Sequence, residues 1–211
     1  MVFIPSSFRV DDSAVVAAFM RQFDFAAIVT SAPTGLVASH LPVLVSGEGA
    51  DLRIVGHLAR ANEHWRLMDG HVESMAIFSG PHAYISPSWY AGTGPAVPTW
   101  NYAVVHAYGR PTFSDDKAFL RHIVESLTER HERHREESWA IERLPPDAYE
   151  KMLGGIVGFE LPVSRCEAKF KLGQNRSVAD RTGAAAGLDQ EKSPGSAAVA
   201  EFMSRFGGAG L

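Results

Sequence analysis

Apolar and polar positions along the chain change period several times. From Asp12, Val15, Val16, Phe19, Met20 and Phe23 recur at helical spacing, which predicts an amphipathic helix over Ser13 to Phe23 with Asp12 as its cap. Phe25 to Ser31 and Leu36 to Val45 are β-rich runs around the turn Ala32-Pro33-Thr34-Gly35, so a hairpin is expected. Pro42 cannot donate to a ladder and predicts an edge, a bulge or a departure from the sheet. Asp51 to Leu58 reads as a third strand and Asn62 to Met68 as a short helix capped by Asn62. Glu73 to Ser79 and Ala83 to Ser86 are separate strand candidates, Pro87 to Pro98 a stiff loop, and Thr99 to Phe113 strand again.

The second half alternates less. Ser114 to Glu137 predicts the longest helix, with Phe119, Ile123, Val124 and Leu127 inward. Pro145 to Leu153 predicts a short helix, and Ile156 to Val163 and Glu167 to Leu172 two closing strands. Beyond Gln174 the composition turns to Gly, Ala and Ser, which reads as a loose connection to a terminal helix over Ser196 to Phe206. The expected organisation is a domain over residues 1–174 and a C-terminal extension over 175–211. Many short strands with interspersed helices favour a mainly β fold, an antiparallel barrel with helices packed around it, over a doubly wound α/β sheet.

Composition narrows the function. A net charge of −4 on 211 residues provides no global attraction to nucleic acid or anionic membranes. One cysteine, Cys166, excludes an internal disulfide and reads as a packing residue. Met1 to Val10 lacks the pattern of a signal peptide, and no eighteen uncharged apolar residues run together, so a cytoplasmic location and no membrane span are expected. The usual dinucleotide and nucleoside-triphosphate glycine loops are absent; Gly92-Thr93-Gly94 alone carries nothing.

Three apolar strands end in polar clusters: Ser39-His40-Leu41-Pro42, His57-Leu58-Ala59-Arg60-Ala61-Asn62, and Ser86-Pro87-Ser88-Trp89-Tyr90. Arg60 immediately before a capped helix suits a phosphate, and equally suits a surface arginine beside an ordinary cap. Trp89, Tyr90, Trp100 and Tyr102 could flank a flat heterocycle, or fill a core or a subunit interface. His131 and His134 lie one helical turn apart beside His122, but the run Glu129-Arg130-His131-Glu132-Arg133-His134-Arg135-Glu136-Glu137 reads more simply as a solvated face than as a metal site. His40, His57, His82 and His106 fall in or beside strands, where hydrogen-bonded structural histidines are ordinary.

These clusters, with the opening Phe3-Ile4-Pro5-Ser6-Ser7-Phe8, Gly80-Pro81-His82-Ala83-Tyr84-Ile85, Trp65, Pro98-Thr99-Trp100-Asn101-Tyr102 and Lys171-Leu172-Gly173-Gln174-Asn175-Arg176, resemble the PaiB-type family of FMN-binding negative transcriptional regulators over nearly the whole chain. The family usually has Ser where Gly173 stands. The resemblance implies a split β-barrel like that of pyridoxamine-phosphate oxidases, a homodimer, and FMN held at the subunit interface. It further implies a phosphate site at Arg60, Ala61 and Asn62, with Ser39 and His40 near the ribityl chain or polar ring edge. Trp100, Asn101 and Tyr102 would then lie near the ring, and Leu41, His57 and Trp89 complete the expected cofactor-binding set. The implied function is an FMN-dependent oxidoreductase or an FMN-dependent regulator of transcription; haem binding or degradation on the same barrel is the alternative. Direct DNA binding finds no support in a chain whose longest basic stretch is neutralised by its own glutamates.

Overall fold

A computed structural model describes residues 3–191 and 193–207. Asp12 caps α1 (Ser13–Gln22) by accepting from the backbone N–H of Ala14 and Val15, and the helix buries Val16, Ala17, Phe19 and Met20. Strands β1 (Phe25–Ala32) and β2 (Gly35–Ser46) form the expected hairpin, turning at Gly35 with φ 123°. The break expected at Pro42 is instead an exchange of partners. Residues 35–42 of β2 pair with β1, and Val43 onward pairs with β3 (Arg53–Ala59). The missing N–H of Pro42 falls at the hand-over, where the ladder to β1 ends.

Strands β4 (Ser74–Ile85), β5 (Thr99–Gly109), β6 (Thr112–Ser114) and β7 (Ile156–Lys171) complete one antiparallel sheet in the order β3-β2-β1-β4-β5-β7-β6. Pairing of β3 with β7, from Arg53 opposite Pro162 to Ala59 opposite Ile156, closes it. The fold is a split β-barrel with helices added, as the sequence implied.

Two expected strand pairs are single strands. Gly80, in the gap expected between two strands, lies within β4, and its role is packing: a Cβ there would lie 2.7 Å from the Phe19 ring. β7 likewise runs uninterrupted through Pro162 for sixteen residues. The helices are α2 (Lys117–Glu132), capped by Asp116, α3 (Pro146–Leu153), α4 (Val178–Gln190), capped by Ser177, and α5 (Ser196–Phe206). Where a loose connection was expected, α4 is regular. Its glycines and alanines hide the apolar period from a sequence reading, although Ala184 and Leu188 are buried.

The chain gathers into two compact units, one from residues 1–19, 79–105 and 167–211, the other from 20–78 and 106–166. In the first, Phe19, Phe170, Phe202 and Phe206 form an aromatic cluster with centroid separations of 5.0 to 6.2 Å. In the second, Ile28, Val43, Ile54, Phe78, Ile123, Val157 and Phe159 are fully buried.

Candidate functional site

In the second unit, β2 before Val43 and β3 beyond Gly56 extend toward the same end of their antiparallel pair, which brings two of the polar clusters together. The Asn62 amide donates to Ser39 Oγ at 3.0 Å, and Asn62 Oδ1 accepts from the His64 backbone N–H at 3.2 Å. His64 is almost wholly buried, 3% exposed. Its Nδ1 is 2.9 Å from Ser39 Oγ and its Nε2 is 2.9 Å from Thr30 Oγ1, which lies 2.6 Å from Ser74 Oγ. Five polar side chains thus form one chain from the strand ends into the barrel wall. Burial lowers the pKa of His64 and keeps its ring neutral near pH 7. Sequence reasoning missed His64, Thr30 and Ser74; the one available signal was a polar residue two positions beyond a capping asparagine.

Arg60 is partly exposed, and its guanidinium is held in place: Nε donates to Gly154 O at 3.0 Å and Nη2 to Ile156 O at 3.1 Å, while Asp115 lies 3.9 Å from Nη1. Its carbonyl accepts from the Trp65 indole at 3.0 Å. The element that follows is a 3-10 turn over Glu63–Leu67, not the expected helix over Asn62 to Met68. Five residues build no useful macrodipole, so cationic character at this place comes from the guanidinium. Ala61 is exposed. Leu41 turns into the core, His40 is exposed beside Phe25, and His57 has a buried Nδ1 with no hydrogen-bond partner among the described residues and a pKa lowered by burial.

In the first unit, Trp89 sits in a 3-10 turn against α4. A Cβ at Gly187 would lie 2.3 Å from its ring, and one at Gly183 would lie 2.1 Å from its carbonyl oxygen. Asp180 on the same helix accepts from Gly92 N–H at 3.0 Å, which lowers its pKa, and the Arg176 guanidinium lies 4.7 Å from the Tyr90 ring centroid. Trp100 is 52% exposed, near His82 and Tyr84. Tyr102 is half-buried under the Lys169 ammonium, whereas Asn101 is turned inward and donates to Met203 Sδ at 3.3 Å.

His131 lies 3.7 Å from the Asp24 carboxylate, and His134 Nε2 accepts from Arg133. Among the described residues no group of three or more His, Cys, Asp or Glu is arranged for a metal, and no helix is long and apolar enough to cross a membrane. Burial pushes the Cys166 thiol up to about 11, which leaves it a poor nucleophile.

A family model described as "Putative FMN-binding domain" matches residues 2–165. "Protease synthase and sporulation protein PAI 2" of Bacillus subtilis (strain 168) is 34% identical over 202 residues, 96% of each chain. Among solved structures, the flavocytochrome Anf3 from Azotobacter vinelandii aligns with a TM-score of 0.60 at 15% identity, over 77% of this chain and 69% of its own. A FAD and heme binding protein from Mycobacterium smegmatis aligns with a TM-score of 0.58 at 14% identity, over 85% and 80%. At those identities the two structures speak for the fold.

Proposed function

The chain belongs to the FMN-binding domain family, with FMN as the cofactor that membership supports, and from that premise we propose that it is a flavin-dependent redox protein. The observation that carries the site assignment is the connected set Ser39, Asn62 and His64 at strand ends, in the same unit as Arg60 and as the orphaned Nδ1 of His57. These groups suit an anion with a polar, oxygen-rich body. Arg60 has two of its five N–H groups anchored on carbonyls, and a phosphate would take the remaining ones in competition with Asp115, 3.9 Å from Nη1. Ser39 and Asn62 supply donors for ribityl or ring oxygens, and the unpaired His57 nitrogen is a buried polar atom that a ligand would satisfy.

When bound, FMN supplies hydride or single-electron transfer; the protein supplies binding, orientation and exclusion of water. Trp89, Trp100 and Tyr102 are the proposed ring neighbours. The assembly is a cytoplasmic homodimer with FMN at its interface, and the exposed Tyr84 and Trp100 suit burial by a partner. A second reading, FMN-dependent regulation of transcription, draws on the family resemblance and on the Bacillus relative, which is named a protease synthase and sporulation protein.

An absorbance spectrum of the purified protein with and without FMN, followed by anaerobic NADH or NADPH, separates these readings. Bound flavin bleached by a nucleotide is the expected result. Bound flavin left oxidised by both would favour the regulator, and absence of FMN binding would sink the assignment.

A further inference from the structure

The hydrogen-bonded chain from the exposed Asn62 to the buried Ser74 has a direction, and the direction follows from where its one surplus hydroxyl proton is left. Asn62 Oδ1 takes the His64 backbone N–H, so the amide nitrogen must face Ser39 and donate to it. His64 is neutral, and one ring nitrogen donates while the other accepts. If Nε2 carried the proton it would donate to Thr30, Thr30 would donate to Ser74, and the Ser74 hydroxyl proton would be left over. Ser74 is 1% exposed, and among the described residues Thr30 is the only side-chain hydrogen-bond partner of its hydroxyl. A buried donor would then go unmade.

With the proton on Nδ1 the order reverses, and the surplus hydroxyl proton moves from the innermost Ser74 to Ser39, which is 7% exposed and hydrogen-bonded to the exposed Asn62. Ser74 donates to Thr30, Thr30 donates to His64 Nε2, and His64 Nδ1 donates to Ser39 Oγ. Ser39 then accepts from both Asn62 and His64, which fills its two lone pairs and leaves its own proton directed away from both.

We infer that His64 is a positioning residue that keeps its ring proton on Nδ1 and so makes Ser39 an obligate hydrogen-bond donor toward an oxygen of the bound flavin nucleotide, rather than toward its ring N–H. The inference rests on the FMN reading above for the identity of the ligand, and on the hydrogen-bond network alone for the tautomer.

The test is a long-range proton–nitrogen correlation spectrum of the His64 ring in the full chain, with and without FMN, alongside FMN titration by quenching of flavin fluorescence. Nδ1 should carry the proton in both states; a proton on Nε2, or on both nitrogens, overturns the inference. Thr30→Val removes the donor that holds Nε2 as an acceptor. The ring proton should redistribute and FMN affinity fall about tenfold, although Thr30 is fully buried behind His64. Thr30→Ser keeps the hydroxyl and should restore both. Unchanged ring nitrogens and affinity in Thr30→Val would overturn the role. Failure of the unmodified chain to bind FMN would instead overturn the flavin reading, while its ring nitrogens still decide the tautomer.

Discussion

His57 and His64 are buried histidines whose pKa values lie below the ordinary 6.5, in both cases through burial. Above that value the folded and unfolded chains are both neutral at these sites. As pH falls through it, the unfolded chain takes up protons that the folded chain refuses, so stability drops until the folded-state values are reached. Urea midpoints measured between about pH 7 and pH 5, above the carboxylate range, should fall, and the fall should shrink in His57→Asn and in His64→Asn. Arg60 allows a second test at this scale. Because the part of FMN assigned to its guanidinium is the phosphate, which riboflavin lacks, Arg60→Ala should weaken FMN roughly ten- to hundredfold and riboflavin little; equal loss for both would move the phosphate elsewhere. The residue types at Ser39, Arg60 and Asn62 were legible because polar clusters at the ends of apolar strands stand out. His64 was not, since one buried histidine has no periodic signature, and its partners Thr30 and Ser74 are ordinary strand residues until the barrel brings them together.

Strands and helices obey the same division. The β1–β2 hairpin and α2 can be read from period and capping residues, whereas the apolar runs of β4 and β7 are interrupted in sequence at residues 80–82 and 164–166, which hides their continuity. In β4 the reason is tertiary: the Phe19 ring occupies the space a Cβ at Gly80 would take. Helix α4 was hidden for a related reason, since Gly183 and Gly187 weaken its helical pattern in order to seat Trp89. Substitution at either glycine should therefore act against helix propensity. Alanine adds about 1 kcal/mol of propensity, but contact with the Trp89 ring or carbonyl costs about 1–3 kcal/mol. Gly183→Ala, which meets backbone, should lower Tm more than Gly187→Ala, by roughly 2–4 °C for each kcal/mol of net loss. A Tm unchanged or raised in both would mean that Trp89 is not held by α4. The same experiment read by tryptophan emission should show a red shift as the ring is released.

For the whole molecule, the last 37 residues, 175–211, are an extension by composition. Yet α5 places Phe202 and Phe206 against Phe170, and Phe202 also against Phe19. Uncovering each such aromatic costs about 1.5–3 kcal/mol, so a chain ended at Gln174 should bind a hydrophobic dye or precipitate, and a soluble truncated chain with an unchanged Tm would contradict this packing. Strands β4, β5 and β7 each continue from one compact unit into the other. Fluorescence and far-UV circular dichroism should accordingly report coincident unfolding, and two separated transitions would show the units to be independent. That interleaving also constrains inheritance. The second unit occupies two segments of the gene, each flanked by stretches that encode the first, so no single crossover trades either unit for a homologous copy without dividing or trading the other. Exchange of one contiguous stretch of the gene therefore cannot trade either unit whole and leave the other untouched.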